Sequence, residues 1–461
     1  MSDLVLKNIG VLVTMDEERS ELSDVNVVIR NGMIDTIGDD SDLIESKASY
    51  TLDLSDYIVF PGLINTHHHL YQTLTRAVPG AQNSGLFEWL RTLYPIWGRM
   101  DGEAVYISTL VGLAELLLSG CTSASDHLYM YPNGATLDDT IRAASEIGMR
   151  FHPTRGSMSL GESSGGLPPD SLVEEETVIL RDSQRLIEEY HNPEIGSMLH
   201  VGLAPCSPFS VSSDLMIETA SMARAYGVRM HTHLAETKDE EVFCLERFGK
   251  RPLEYVMDLG WDDSDVWFAH MVHCCSNDIK ALAQNGMAVA HCPSSNMRLA
   301  SGIPPIRHML NYGVDVGLGV DGSASNDGGH MLSEVRQAML LARLADALEP
   351  DEQKINTYGG HFTAREALEI GTIGGAAALG RQDIGAVEVG KCGDLFAINM
   401  NKVHYAGALN DPVAAAVLCA SHNVDLVVVN GKVVVQDGML RTMNMDKIVK
   451  RHNEISGIMM S

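Results

Sequence analysis

Across residues 58–390, short apolar runs rich in β-branched residues alternate with amphipathic helical stretches, and nothing else in the chain limits its possible folds as sharply. The apolar runs fall at 59–64, 122–126, 150–154, 198–204, 228–233, 266–270, 287–291 and 314–320. Helical periodicity marks 102–119, 214–226, 277–285 and 333–347, between or after them. Alternation of this kind makes a parallel sheet whose helices cover the strands. Eight such units favour a closed (β/α)8 barrel of TIM type over an open doubly wound sheet. No Gly-x-Gly-x-x-Gly follows the first run, which argues against a dinucleotide-binding sheet.

The ends of the chain read differently. Strands are expected at 11–14, 25–30 and 33–37, the last two joined by Asn31-Gly32, a hairpin signal. A strand at 394–398 and the runs 425–429 and 432–435, joined by Asn430-Gly431, repeat the arrangement near the other end. At 461 residues the chain exceeds what one core usually supports. A composite β-sandwich domain built from 1–57 and 391–461 is therefore expected beside a barrel spanning 58–390.

Charge and cysteine usage narrow the partners. The 61 acidic residues outnumber the 33 basic ones, and a net charge of -28 repels polyanions, so no nucleic-acid polymer is expected to bind. The eight cysteines contain no Cys-x-x-Cys pair and no dense spacing, which indicates free thiols and a cytoplasmic protein. No stretch approaches ~18 uninterrupted apolar residues, and no secretory signal opens the chain, so no membrane partner is expected. Self-association into a homo-oligomer is left open by the sequence.

Polar residues recur where the strands should end. The first run leads into Pro61-Gly62-Leu63-Ile64-Asn65-Thr66-His67-His68-His69. Alternate side chains share a face, so His67 and His69 can hold one ion while His68 points away. A purification tag would sit in polar terminal sequence, whereas this run closes an apolar strand. His233 and Glu236 follow the fifth run, His270 ends the sixth, and Asp321 follows the eighth. Taken singly, a histidine on an apolar strand is more often a hydrogen-bonded core residue, and Asp321 could be a turn residue. Their coincidence at strand ends reverses that reading, because a barrel gathers such residues on its active face. Three imidazoles and a carboxylate leave room on a divalent ion for water.

These motifs, together with His231-Thr232-His233-Leu234-Ala235-Glu236, Ala269-His270 and Gly319-Val320-Asp321-Gly322, resemble the amidohydrolase superfamily in its single-metal nucleobase and s-triazine deaminase branch. The resemblance spans essentially the whole chain. It implies that His67, His69, His233 and Asp321 hold one divalent metal ion, and that Glu236, His270 and Asp321 are the catalytic acid/base set. Zinc is the first choice for such ligands, with iron and manganese compatible. Segments 71–77, 154–162, 204–210 and 291–298 are more narrowly similar to bacterial 8-oxoguanine deaminases. That similarity implies hydrolysis of 8-oxoguanine to urate and ammonia, with Gln72, Arg155 and Cys206 at the substrate. Guanine deaminases of the family usually carry Pro-Arg-Phe where this chain has Pro205-Cys206-Ser207. An Arg would mismatch the N7–H of 8-oxoguanine, since it only donates.

Alternatives stay open from sequence. The same machinery could serve an s-triazine amino- or chlorohydrolase, or a guanine or isoxanthopterin deaminase, and a non-catalytic scaffold is a remote reading. Trp89 and Trp97 could roof the ring or simply pack their loop, and Gln72 could be a helix-surface residue. Arg155 could bind an oxo group or pair with an acid. Asp126-His127 is expected to support the ligands, Ser294 and Asn296 to shape a loop, and 161–169 to form a loop near the pocket.

Overall fold

In a computed structural model the described residues are 3–38, 50–348, 362–419 and 422–461. Eight parallel strands close a barrel: Leu63–Asn65, Cys121–Leu128, Arg150–Ser157, Gly202–Pro205, Met230–Leu234, Val266–His270, Ala288–His291 and Val316–Leu318. The first strand lies between the eighth and the second, which completes the ring. Helices Gly102–Leu118, Ser213–Tyr226, Ser276–Asn285 and Met331–Leu348 occupy the four stretches marked by helical periodicity.

One expected strand divides. The run 59–64 serves two sheets: Tyr57–Pro61 pairs antiparallel with Leu395–Asn399, and the barrel strand begins only at Leu63. Gly62 is the crossing point. A Cβ there would lie 1.9 Å from Thr122 Oγ1, so a side chain has no room where the chain passes from one sheet into the other. Its N–H donates to Asp394 O at 3.0 Å, and the next N–H, of Leu63, to Gly120 O at 3.0 Å.

Strands from both chain ends build two further sheets. One has the order Met33–Gly38, Val25–Arg30, Leu4–Ile9, Tyr50–Asp53. The other runs Met439–Leu440, Lys432–Gln436, Leu426–Val429, Leu395–Asn399, Tyr57–Pro61, Val11–Val13, Glu21–Leu22. Leu4, Leu6, Val27 and Ile29 of the first share a core with Val59, Leu395, Ala397 and Val428 of the second, which makes a sandwich. The two Asn-Gly turns meet there. Gly393 donates to Gly32 O at 2.7 Å, and Gly431 donates to Gly393 O at 3.0 Å. Sandwich and barrel are tied by a buried bidentate pair, Arg150 Nε and Nη2 to Asp394 Oδ2 and Oδ1 at 2.6 and 3.0 Å.

The chain closes with helix Met445–Met460, which packs on Gly102–Leu118 and on the short 3-10 helix Leu70–Thr75. That contact explains why Gly102–Leu118 is apolar nearly all round, being covered on both sides. Among the described residues no helix is long and apolar enough to cross a membrane.

Candidate metal centre and active-site pocket

Every strand-end residue named from sequence reaches the same barrel face. His67 and His69 follow the first strand, His233 lies in the fifth, His270 ends the sixth, and Asp321 follows the eighth. His69 Nε2 is 3.0 Å from His233 Nε2, and Asp321 Oδ1 is 3.2 Å from His67 Nε2 and 3.4 Å from His69 Nε2. Donor atoms held about 2.0–2.1 Å from one tetrahedral ion stand roughly 3.3 Å apart, so these separations suit a shared ion.

The hydrogen-bond network dictates which nitrogen of each ring is free. His69 Nδ1 donates to His127 O at 2.7 Å, and His233 Nδ1 donates to Cys206 O at 2.6 Å. His231 Nδ1 donates to Trp267 O at 2.8 Å, so its Nε2 accepts from His67 Nδ1 at 2.8 Å. All three candidate ligands thus carry their proton on Nδ1 and turn the Nε2 lone pair inward. Burial keeps them neutral, pushing His233 down to about 3 with His69 as the next cause, and His67 well below its ordinary value. His67 Nε2 is buried with no hydrogen-bond partner among the described residues. Lone pairs facing one another at 3.0 Å with no proton between them repel, and a cation turns that repulsion into binding. The residues fit a metal ion. A ring nitrogen of His127 also lies within 4.8 Å of donor atoms of His67, His69 and His233. His68 points to the other side, as expected, and is buried beneath helix Gly102–Leu118 near Gly112.

Beside the cluster stand the acid/base candidates. His270 Nε2 lies 3.7 Å from Glu236 Oε2 and 3.9 Å from Asp321 Oδ2, and its Nδ1 donates to Asn296 Oδ1 at 3.0 Å. Burial works against its charged form, but Glu236 and Asp321 outweigh that and raise its pKa. Burial raises the Glu236 carboxyl, while His270 opposes the shift. Asp321 Oδ2 accepts from Ser295 Oγ at 2.6 Å and Ser325 Oγ at 3.1 Å. The backbone is left-handed at Ala235 (φ 51°), His270 (φ 73°), Met271 (φ 47°) and Asp321 (φ 61°). Non-glycine residues enter that region at a cost, and here the turns aim strand-end side chains into one space.

A pocket opens onto this group. Gln72, Trp89, Tyr94, Cys206, Phe209 and Leu299 line it together with the strand-end residues. Gln72 has room because residue 322 is glycine: a Cβ there would lie 1.9 Å from Gln72 Oε1. Cys206 contributes twice, its side chain to the pocket wall and its carbonyl to His233. Trp89 lines the pocket and donates from Nε1 to Ala324 O at 3.1 Å. Trp97 is packed in the loop, bonded to Thr75 Oγ1 at 3.0 Å.

Arg155 is placed elsewhere, against expectation. Its strand turns it outward, where Glu174 takes both Nη atoms at 2.9 Å, Asp182 takes Nε at 3.0 Å, and the guanidinium lies 4.2 Å over the Tyr131 ring. Local alternation along Arg150–Ser157 puts it on the helix-facing side, and the acids there hold it. Asn296 does more than shape a loop, because it orients His270. Asp126-His127 does support the ligands: Asp126 Oδ1 accepts from Leu70 N at 2.9 Å, and the His127 carbonyl holds His69. Residues 161–169 reach the pocket wall through Leu167 N, which donates to Phe209 O at 3.1 Å.

Two residues escaped the sequence reading. His231 sat inside a quoted motif, yet nothing in sequence shows that it sets the tautomer of His67. Glu240 is buried in the first turn of helix Lys238–Phe248, where its carboxylate accepts from the N–H groups of Ala235 and Glu236, each at 2.9 Å. An acid in a helix's first turn is a capping signal, but its reach beyond the cap is a tertiary fact.

The chain belongs to the amidohydrolase family, whose model matches residues 58–434. It is 46% identical over 402 residues to an 8-oxoguanine deaminase of Pseudomonas aeruginosa, covering 87% of each chain. Identity to a hydroxydechloroatrazine ethylaminohydrolase of a Pseudomonas species is 35% over 440 residues, covering 93% of this chain and 89% of that one. Among solved structures, atrazine chlorohydrolase TrzN from Arthrobacter aurescens TC1, in complex with zinc, superposes with a TM-score of 0.91 at 33% identity, covering 98% of this chain and 100% of that one.

Proposed function

We propose that the protein is a metal-dependent hydrolytic deaminase that converts 8-oxoguanine and water to urate and ammonia. The observation that carries this reading is the convergence of three Nε2 lone pairs and Asp321 Oδ1 beside a buried Glu236, at the floor of a pocket also lined by Gln72, Trp89 and Cys206. The 46% identity to an 8-oxoguanine deaminase supports the choice of substrate.

In this reading His67, His69, His233 and Asp321 hold one divalent ion, with zinc favoured by the imidazole-rich set and by the zinc in the TrzN structure. Such an ion lowers the pKa of water towards ~7 and so supplies the nucleophile. Asp321 would accept the proton that such a water gives up. Glu236, whose carboxyl burial shifts upward, protonates the ring nitrogen beside the attacked carbon, is reprotonated with the proton passed to Asp321, helps protonate the departing amine, and regains a proton from the added hydroxyl as the carbonyl forms. His270, fixed by Asn296 and set between two carboxylates, donates from Nε2 to the oxygen added to the ring. Gln72 offers an amide to the amide-like edge of the purine. Division of the chain near 58 and 390 into barrel and composite sandwich, and residence in the cytoplasm, belong to the same reading.

The test is release of ammonia by metal-loaded protein from 8-oxoguanine, guanine, isoxanthopterin and hydroxylated triazines. Preferential turnover of 8-oxoguanine, with urate as product, is expected. Turnover of triazines alone would favour the second reading, an s-triazine hydrolase, which rests on the ethylaminohydrolase and TrzN similarities.

A further inference from the structure

Helix Leu86–Trp97 roofs the pocket, and the residues it presents there, Leu86, Trp89, Leu90 and Tyr94, follow the spacing of one helical face. Three of them have no hydrogen-bonding group left to offer. Leu86 and Leu90 carry none, and the Trp89 N–H is committed to Ala324 O. Tyr94 is different. Its side chain is buried, with only 1% of the residue exposed, and its Oη has no hydrogen-bond partner among the described residues. The ring itself is held firmly, packed edge-to-face on Trp97 with centroids 5.9 Å apart, and Trp97 is anchored in turn to Thr75.

Tyr129, Ser325, His69 and His233 on the pocket wall are already engaged. Tyr129 is hydrogen-bonded to Tyr71, whose oxygen lies 3.4 Å from Gln72 Nε2. Ser325 serves Asp321 Oδ2 and Gly322 O. His69 and His233 spend their protons on carbonyls. Near Tyr94 the remaining polar neighbour is the Cys206 thiol, a weak donor. Native structures rarely bury a hydroxyl unpaired, and one set rigidly in a pocket wall is paired by what the pocket binds.

We propose that Tyr94 is a specificity-determining residue whose phenol donates a hydrogen bond to an oxo group on the part of the substrate remote from the amine that leaves. This rests on the pocket being that of an amino-heterocycle deaminase. A purine with an oxo group on its five-membered ring presents the acceptor that the phenol lacks, whereas guanine has only C–H at that carbon. Tyr94, rather than Cys206, then carries the preference for the oxidised base.

Tyr94→Phe removes the hydroxyl and keeps the ring. In the metal-loaded enzyme it should lower kcat/KM for 8-oxoguanine roughly ten- to hundred-fold while changing guanine by less than about three-fold, as loss of a ligand-paired buried group does. Binding of urate and xanthine, which differ in the same oxo group, should be compared by calorimetry in both proteins. Wild type should prefer urate, and Y94F should lose that preference. The ligand-free variant should melt no lower than wild type, since it loses an unpaired polar atom and no contact. Equal losses on both substrates, an unchanged urate preference, or a marked drop in melting temperature would each overturn the role of Tyr94 and leave the deaminase reading standing. A wild-type protein that binds neither purine overturns both.

Discussion

Neutral histidines buried together normally repel one another's lone pairs or find protons to share, and here the outer partners forbid sharing. Trp267 O, His127 O and Cys206 O, with His231 between Trp267 and His67, fix every proton on the outside of the cluster. His231→Phe should therefore release the His67 ring and weaken metal affinity about ten- to hundred-fold, which a competitive chelator titration reads directly. Glu236→Gln should behave in the opposite way. Metal content by elemental analysis should stay at the wild-type level while turnover falls at least ~10²-fold, because in the proposed reaction Glu236 supplies protons and no ligand. Near-normal turnover would remove Glu236 from the reaction.

Short elements hold these side chains through their backbones. The segment after the fifth strand turns left-handed at Ala235 and is clamped by Glu240, a residue of the following helix. Glu240→Ala should leave metal content unchanged and lower kcat by about ten-fold or more, with KM little altered, since the clamp orients an acid and touches no substrate. The 3-10 helix Leu70–Thr75, which carries Gln72, is tied from outside by helix Met445–Met460. His452 Nε2 meets Thr73 Oγ1 at 3.0 Å, and Ser456 Oγ donates to Leu74 O at 2.7 Å. A part of the chain expected only to complete a sandwich thus reaches the element that bears a pocket residue.

Across the whole molecule, barrel and sandwich meet at buried charges. Arg150→Met would leave Asp394 unpaired in the interior and should cost about 3–5 kcal/mol, measurable by denaturant unfolding. On the same side, Asp383 accepts from Arg381 Nε and Nη2 at 2.7 and 2.6 Å and from Gly196 N at 2.7 Å. Burial works to raise this carboxyl, but the Arg381 and Gly196 bonds prevail and hold it below its ordinary value. A carboxyl depressed in the folded state contributes stability that is complete above its unfolded pKa and is lost as pH falls through the folded one. Asp383→Asn should therefore narrow the gap between stability at pH 7 and at pH 3, seen as a smaller fall in Tm on acidification.

The barrel was legible because each βα unit announces itself locally. Apolar runs, helical periodicity and the requirement that a parallel strand return through a helix are all properties of neighbouring residues. That His67, His69, His233, Glu236, His270 and Asp321 would meet on one barrel face was legible for the same reason, since the end of a strand is a local landmark and a barrel brings those ends together. Tertiary structure decided the rest. Whether the run 59–64 fed one sheet or two depended on Thr122 and Asp394, both remote in sequence. Strand alternation turned Arg155 outward, but the acids that hold it there, Glu174 and Asp182, come from other segments. Cys206 gained its carbonyl role from the depth at which His233 sits, and Tyr94 its unpaired hydroxyl from the way the roof helix settles over the pocket. Such outcomes depend on contacts between residues tens to hundreds of positions apart, and no local pattern records them.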